Sequence, residues 1–552
     1  MTYVITQNCC RDTSCVPVCP VDCIRPVGGA GEFTGAEMLY IDPETCIDCG
    51  ACLEVCPVNA IYYEEDLPEE LQRFRDINAA YFQRHPLEPV SQPPPMAHAA
   101  VDPGSLRVAI VGTGPAACYA ATELIRTEGV EVDLYERLPS PFGLIRAGVA
   151  PDHQHTKSVV DIFQHVFTNK RVGCHLNVEI GRDLTHEELL DHHHAVIYAT
   201  GASKNRDLGI PGEHLPGSYA AADFVGWYNG HPDHAGYDFD LSGERAVIVG
   251  NGNVALDVAR VLLTSPNELA KTDIAQHALE ALSHSKIREV VILGRRGPRD
   301  AAFSAGEFVA LGHLPGVDVV VESDDLDPDP NDDVETVLKL DAAGEFAARA
   351  TEPANKRIVF RFLTSPAEVL GATHVDALRV VHNRVDDTGA VISGAVGYDD
   401  EVIETSLVLR SIGYTGSATE GVPFDQSWGV VPNEGGRVID AESRPVVGIY
   451  VTGWIKRGPR GVIGTNRACA EETVAQLWRD VDDGRLARVV KDRAAVRQLL
   501  DDRAVHSIGW QEWRTIDAAE RKRGSAASRP RVKFVDAAKM IAEAKRSAAR
   551  DS

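Results

Sequence analysis

The sequence predicts an α/β chain in which two doubly wound dinucleotide-binding domains follow a small, cysteine-rich α+β domain. Three observations carry that reading. Residues 108–136, VAIVGTGPAACYAATELIRTEGVEVDLYE, run as strand, glycine turn, helix and second strand; residues 246–260, AVIVGNGNVALDVAR, repeat the first half of that pattern; and nine of the twelve cysteines lie before residue 57.

At 552 residues the chain is long enough for three or four domains. Its 81 acids against 55 bases give a net charge of -26, which argues against nonspecific nucleic-acid binding, because phosphates need a basic surface. No run of about 18 apolar residues suggests a membrane span. The N-terminus, MTYVITQNCC, lacks a basic stretch followed by an apolar one, so a cytoplasmic location is expected. In that setting clustered cysteines read as metal ligation rather than as disulfides.

Residues 46–57, CIDCGACLEVCP, form the C-x2-C-x2-C-x3-C-P run of bacterial ferredoxins, in which three close thiolates serve one iron-sulfur cluster and the fourth serves another. The same template laid on the N-terminus meets Cys9, Asp12, Cys15 and Cys19, with Pro20 following. Crossed ligation assigns Cys19, Cys46, Cys49 and Cys52 to one [4Fe-4S] cluster. Cys9, Cys15 and Cys56 go to a second, which is [3Fe-4S], or [4Fe-4S] with Asp12 or a shifted Cys10 as fourth ligand. Cys23 stands where the seven-iron ferredoxins that this segment resembles keep a non-ligating cysteine, and reads as structural. Residues 1–64 hold nine acids and two bases, a net of -7, with no lysine, a charge suited to a basic partner face and explained equally well by solvation. Residues 65–105 read as a linker, partly helical to 87 and then proline-rich (PVSQPPPMAHAAVDPGS), which tethers an electron carrier to the nucleotide-binding domains.

In the first fingerprint Gly112, Gly114 and Ala117 occupy the G-x-G-x-x-A positions. Gly112 permits the tight turn, Gly114 lets backbone approach a pyrophosphate, and Ala117 allows close packing, with the phosphates on the helix N-terminus. Glu136, about 20 residues beyond the turn, accepts hydrogen bonds from ribose hydroxyls. The second fingerprint places Gly250, Gly252 and Ala255 alike, but its next strand, 290–293, ends in GRRGP. Arg295 and Arg296 thus replace the acid. An acid repels a 2′-phosphate and guanidinium forks bind it, so this site is built for NADP(H), and Glu136 is left with the other dinucleotide.

His192, His193 and His194 precede a strand, where neighbours point to opposite faces, so they are not read as metal ligands. The acidic run 323–335 reads as a solvated loop. Strand-like stretches at 357–363 and 378–382 are expected in the NADP domain, and 195–201 and 448–454 are buried strands ending in T-G turns. Beyond about 505 the chain is helical and partly basic, with no legible role.

With PFGLIRAGVAPDHQHTK (141–157) and IKRGPRGVIGTN (455–466), the chain from about 106 to beyond 520 resembles the adrenodoxin reductase family of ferredoxin-NADP reductases, and the fused N-terminal segment resembles the mycobacterial two-module form. The resemblance implies an NADP domain (204–418) inserted between two parts of an FAD domain (106–203 and 419–552). It assigns FAD contacts to Gly112, Gly114, Ala116, Glu136, Leu144, Ile180, Trp454, Gly461, Val462 and Ile463. NADP contacts fall on Asn251, Gly252, Asn253, Val254, Arg295, Arg296, Glu307 and the shared Gly461, with His153 and Glu307 positioning the nicotinamide. The implied function is electron transfer between NADP(H) and iron-sulfur proteins, hydride to flavin and then single electrons to clusters, with an external ferredoxin or other redox protein as partner. Two alternatives are an electron supplier like the small subunit of glutamate synthase and a non-enzymatic electron carrier. The APDH and GPRGVIGTN segments count against the first, and two intact fingerprints against the second. Solitary Cys118 and Cys174 count against a disulfide reductase.

Overall fold

The computed structural model describes residues 2–26, 38–87, 98–323, 325–386, 388–394 and 400–548. The first fingerprint strand, Arg107–Val111, is buried along its whole length, as a strand covered on both faces must be. It pairs in parallel with Glu131–Glu136 on one side and Ala195–Tyr198 on the other. Val172–Leu176 and Pro445–Val451 extend the parallel set, and Arg437–Ile439 and Asn433–Glu434 close a seven-stranded sheet. Sequence on both sides of the central insertion therefore builds one sheet.

The second fingerprint strand, Arg245–Val249, sits inside a six-stranded, wholly parallel sheet in the order Ser218–Ala220, Leu407–Arg410, Arg245–Val249, Glu289–Leu293, Lys356–Arg361, Val317–Glu322. The stretch expected at 357–363 is in this sheet. The one at 378–382 belongs instead to Ala377–Val385, in a separate antiparallel sheet with Thr364–Leu370, Val391–Ser393 and Glu401–Glu404. Where the chain leaves and re-enters the first nucleotide domain, Lys204–Asn205 pairs antiparallel with Tyr414–Thr415, so the two crossings form one ribbon.

In the N-terminal module Tyr3–Ile5 pairs with Ile61–Tyr63, and Ile24–Arg25 with Tyr40–Ile41. The span 65–105 is not a uniform linker. Leu67, Leu71, Phe74, Ile77 and Phe82 are buried with Val4, Ile5 and Ile41, and the helix Arg73–Arg84 is part of the module core. Burying each of these large side chains contributes roughly 1.5–3 kcal/mol, which outweighs the solubility of the helix's polar face. Asn78, buried in that helix, accepts from Ile5 and Ile41 N–H and donates to Ile5 and Phe74 carbonyls. Residues 88–97 of the proline-rich tether lie outside the described residues. From His98 onward the chain is fixed to the first nucleotide domain: His98 stacks on Trp478 at 3.8 Å and pairs with Asp482.

The module is docked on both nucleotide domains. Arg73 pairs with Glu345 of the second at 2.8 Å. On the first, the Tyr119 hydroxyl donates to Asp12 at 2.6 Å, Gly464 N–H to the Cys10 carbonyl at 2.8 Å, and Ser158 to the Pro57 carbonyl at 2.9 Å. The segment after 505, illegible in sequence, forms the helices Trp510–Ala526 and Ala537–Ala548, with Trp510 stacked on Phe167 at 4.5 Å. Among the described residues no helix is long and apolar enough to cross a membrane.

Candidate active site and iron-sulfur centres

The first glycine turn has the shape its sequence demands. Gly112 has φ +105°, and a Cβ there would meet the Ala199 carbonyl oxygen at 2.5 Å, so only glycine fits. Gly114 differs: its φ is -70° and nothing lies within 4 Å of where a Cβ would be. It starts the helix Pro115–Ile125 without a side-chain cap, so no N-cap side chain satisfies the first-turn N–H groups, an arrangement that accepts an anion. Ala116 and Ala117 pack behind the turn, and Gly453 packs on Ala116. Glu136 accepts from Thr113 N–H at 3.2 Å, Thr113 Oγ1 at 2.8 Å and Leu138 N–H at 3.1 Å. Burial pushes its carboxyl up despite those bonds. Phe142 N–H donates to the Thr113 carbonyl, which brings the exposed Leu144 beside the turn. Ile180 sits in a short bridge to Leu184 and packs on the core that holds Val111 and Tyr135. Trp454 begins the short helix Trp454–Arg457 and stacks near Tyr414, at 6.2 Å. Gly461 has φ +83°, and Val462 N–H donates to Thr465 Oγ1 at 3.1 Å; Asn466 Nδ2 donates to the Val462 and Ile463 carbonyls.

The second turn repeats the first. Gly250 has φ +104° and would clash with the Ser411 carbonyl if it bore a Cβ, whereas Gly252 faces open space at the uncapped N-terminus of the helix Asn253–Leu263, which Val254 continues. Asn251 Nδ2 lies against Gly294. Arg295 and Arg296 are exposed at the end of the strand Glu289–Leu293, next to the fingerprint strand. Asn253 Oδ1 accepts from Ser304 N–H at 2.8 Å, and Ser304 caps the helix Ala305–Leu311, which carries Glu307.

His153, from the first domain, and Glu307, from the second, meet at 3.9 Å. Between them lies a residue to which the sequence motifs give no role. Arg260 is 6% exposed, donates to His153 Nε2 at 2.8 Å, and faces Asp152 at 2.6 Å, Asp257 at 2.6 Å and Glu307 at 3.5 Å. Burial works against the Arg260 charge, but the three carboxylates keep the guanidinium firmly protonated. Burial likewise opposes the Asp152 carboxylate, and Arg260 outweighs it. His153, Asp257 and Glu307 have the donor chemistry of a metal site; the guanidinium lodged among them supplies the positive charge instead. Asn253, Asp257 and Arg260 fall at i, i+4 and i+7 on one helix face, a polar stripe that helical spacing exposes in the sequence.

Two small, thiol-lined cavities open in the N-terminal module. One is lined by Cys19, Cys46, Cys49 and Cys52, with Cys23 beside Cys19 at 3.4 Å. The other is lined by Cys9, Cys10, Cys15 and Cys56, together with Asp12. Both carry the thiol sets that the cysteine spacing assigned, so both suit iron-sulfur ligation. Burial pushes the Cys9 thiol up to about 11 and Cys52 to about 12; bound iron is what deprotonates such ligands. Asp12 is already committed: Oδ2 accepts from Tyr119 and Oδ1 from Ser14 N–H and Oγ. The three adjacent histidines find separate partners. His192 Nδ1 pairs with the Glu188 carbonyl, His193 with Asp133, and His194 Nδ1 accepts from Arg107 N–H.

Residues 106–293 match the family described as pyridine nucleotide-disulphide oxidoreductase, and residues 39–62 match the 4Fe-4S binding domain. A Mycobacterium bovis protein named probable ferredoxin/ferredoxin–NADP reductase is 47% identical, over 99% of this chain and 95% of its own. The chain belongs to the ferredoxin-NADP reductase family. The NADPH-ferredoxin reductase FprA of Mycobacterium tuberculosis is 43% identical to this reductase over 79% of the present chain and 98% of its own. A solved structure of FprA in complex with NADPH gives a TM-score of 0.75 at 43% identity, covering 80% of this chain and 99% of that one. The doubly wound architecture inferred from the two glycine turns is thus the architecture of the family.

Proposed function

We infer that the chain is an NADPH-dependent ferredoxin-NADP reductase that carries its own ferredoxin module and delivers electrons to an external ferredoxin or similar redox protein. The observation that carries this reading is the meeting of His153, Arg260 and Glu307 across two nucleotide-binding domains, with a thiol-lined module docked on both. When bound, FAD takes a hydride from NADPH and supplies electrons singly to clusters that accept one each. The chain's own residues do the rest. The open turns at Gly114 and Gly252 offer helix N-terminal N–H groups to the two pyrophosphates, Ala116, Leu144, Ile180, Trp454 and Gly461 to Ile463 frame the flavin side, and Glu136 holds a ribose. Asn251 to Val254 shape the second turn. Arg295 and Arg296 bind the 2′-phosphate as planar forks, which a nucleotide lacking that phosphate cannot engage. Hydride transfer needs no protein acid or base, so His153 and Glu307 serve as positioning residues, held in register by Arg260.

Cys19, Cys46, Cys49 and Cys52 suit a [4Fe-4S] cluster. For Cys9, Cys15 and Cys56 the engagement of both Asp12 oxygens favours a three-thiolate [3Fe-4S] site over one completed by Asp12, and Cys10, which lines the same cavity, is the alternative fourth ligand of a [4Fe-4S] cluster. Electron paramagnetic resonance of the oxidised protein tests this assignment, because a three-iron centre is paramagnetic there and a four-iron ferredoxin centre is not. A silent oxidised spectrum from protein with both sites filled refutes it. Anaerobic titration tests the function: flavin absorbance bleaches with NADPH and far less with NADH, and no bleaching with either sinks the reading. Arg295→Ala with Arg296→Ala abolishes the discrimination between the two nucleotides, since each charge-assisted bond contributes about 1.5–3 kcal/mol; an unchanged preference rules out the phosphate assignment.

A further inference from the structure

Beyond Ala526 the chain turns back and threads between the two nucleotide domains. Arg529, 7% exposed, donates to the Thr272 carbonyl at 3.1 Å, to the Ile274 carbonyl and to Gln276 at 3.0 Å, gripping the second domain on both sides of Asp273. Four residues on, Lys533 is 3% exposed and pairs with Asp273 Oδ2 at 2.8 Å. The same carboxylate takes Lys157 at 2.7 and 3.0 Å and Gln154 at 3.0 Å, both from the first domain. Asn229 Oδ1 accepts from both lysines, and its Nδ2 donates to the Val149 carbonyl.

This knot lies one helical turn from the nicotinamide-positioning group. Lys157 ends the helix Gln154–Lys157, which His153 begins, and Lys157 N–H donates to the His153 carbonyl at 3.0 Å. Asp273 is one buried carboxylate held from two sides, Oδ2 by the Lys533 amine and Oδ1 by the Lys157 amine, so removing either amine leaves a buried contact unmade and frees that side of the junction. Nucleotide binding and hydride transfer as described use none of Lys157, Lys533 and Asp273.

We propose that Lys533, in the C-terminal tail, is a positioning residue for hydride transfer: by sharing Asp273 with Lys157 it clamps the loop that bears His153 onto the second nucleotide domain and so sets the geometry of His153, Arg260 and Glu307. The proposal rests on the reductase reading. Small displacements of reacting groups are costly, because a misplacement of about 1 Å lowers a rate by roughly a hundredfold.

The test is single-turnover reduction of the flavin by NADPH in holoprotein bearing Lys533→Met, with NADP+ affinity and FAD content measured on the same samples. The expected result is a hydride-transfer rate constant about tenfold lower, or about 1.4 kcal/mol in the barrier, with NADP+ affinity within about twofold of the parent and FAD fully retained; Lys533→Arg recovers part of the rate. Lys157→Met, which empties the other side of Asp273, gives the same split and decides the matter should Lys533→Met fail to fold. An unchanged rate constant in either variant overturns the proposal, as does a loss that merely follows loss of FAD. A parent protein whose flavin NADPH does not reduce refutes the reductase reading itself, a different outcome from unchanged variants of a reducible parent.

Discussion

The two kinds of glycine in each fingerprint make opposite predictions for one substitution. Gly112 and Gly250 are held at positive φ with a carbonyl where a side chain would be, so alanine there damages the fold. Gly114 and Gly252 have ordinary backbone angles and empty space in front of them. Gly114→Ala therefore leaves the thermal midpoint of FAD-free protein unchanged within about 2 °C yet lowers FAD affinity at least tenfold, and Gly252→Ala does the same for NADP+ alone; both are read by titration against a melting curve. Equal loss of stability and affinity contradicts the assignment of that space to phosphate. These glycines were legible because one spacing joined to a strand and a helix has few explanations. Arg260 was not legible as a member of the site. Its partners Asp152, His153 and Glu307 are scattered over more than 150 residues, and only folding brings them together.

At the scale of elements, the helix Trp510–Ala526 is fastened through Glu520, which is fully buried and accepts from Arg146 at 2.6 and 3.0 Å, from Arg531 at 3.1 Å and from Phe534 N–H at 2.9 Å. Burial alone raises its carboxyl, but Arg146 and Arg531 prevail and hold it below the ordinary value. A carboxyl depressed in the folded state stabilises above its unfolded pKa, about 4.3, and that stability is lost as pH falls through the folded value. Glu520→Gln thus destabilises by about 3 kcal/mol at pH 7, and the difference from the parent shrinks as the solution is acidified below about pH 4; denaturant melts at the two pH values check both statements. The sequence around Glu520 showed only charge and helical periodicity. Its partner Arg146 lies 374 residues earlier, so no local pattern announced the contact. The helix Arg73–Arg84 was obscured for another reason. Its buried face is modest, and a proline-rich stretch comes directly after it, so the whole span took on the character of a linker.

At the scale of the molecule, two nucleotide-domain sheets, a ribbon of paired crossings and a docked module form a continuous assembly, in which Asp12 of the cavity lined by Cys9, Cys15 and Cys56 is bonded to Tyr119 of the helix that follows the first glycine turn. The cysteine run and the glycine turns foretold the parts, since each depends on a few residues of fixed spacing. The docking did not show in sequence. It depends on Tyr119 meeting Asp12 and on Gly464 admitting the backbone of Cys10 and Arg11, surfaces with no periodicity to betray them. The net charge of -7 over residues 1–64 suits an external basic face or plain solvation alike, and an external partner is part of the proposed function, but the module's first neighbours are within its own chain.

In the proposed function, NADPH oxidation at the nucleotide domains is coupled to this docked module. That coupling is tested by anaerobic addition of a small excess of NADPH, above the roughly two equivalents needed to supply two electrons to the flavin and one to each cluster, to the isolated holoprotein with no added acceptor, followed by optical and paramagnetic resonance spectra of the flavin and the iron-sulfur centres. The expected result is that the signal of the oxidised three-iron centre is lost along with the oxidised flavin absorbance, and that NADH produces neither change. Flavin reduced by NADPH beside iron-sulfur centres that stay oxidised contradicts it.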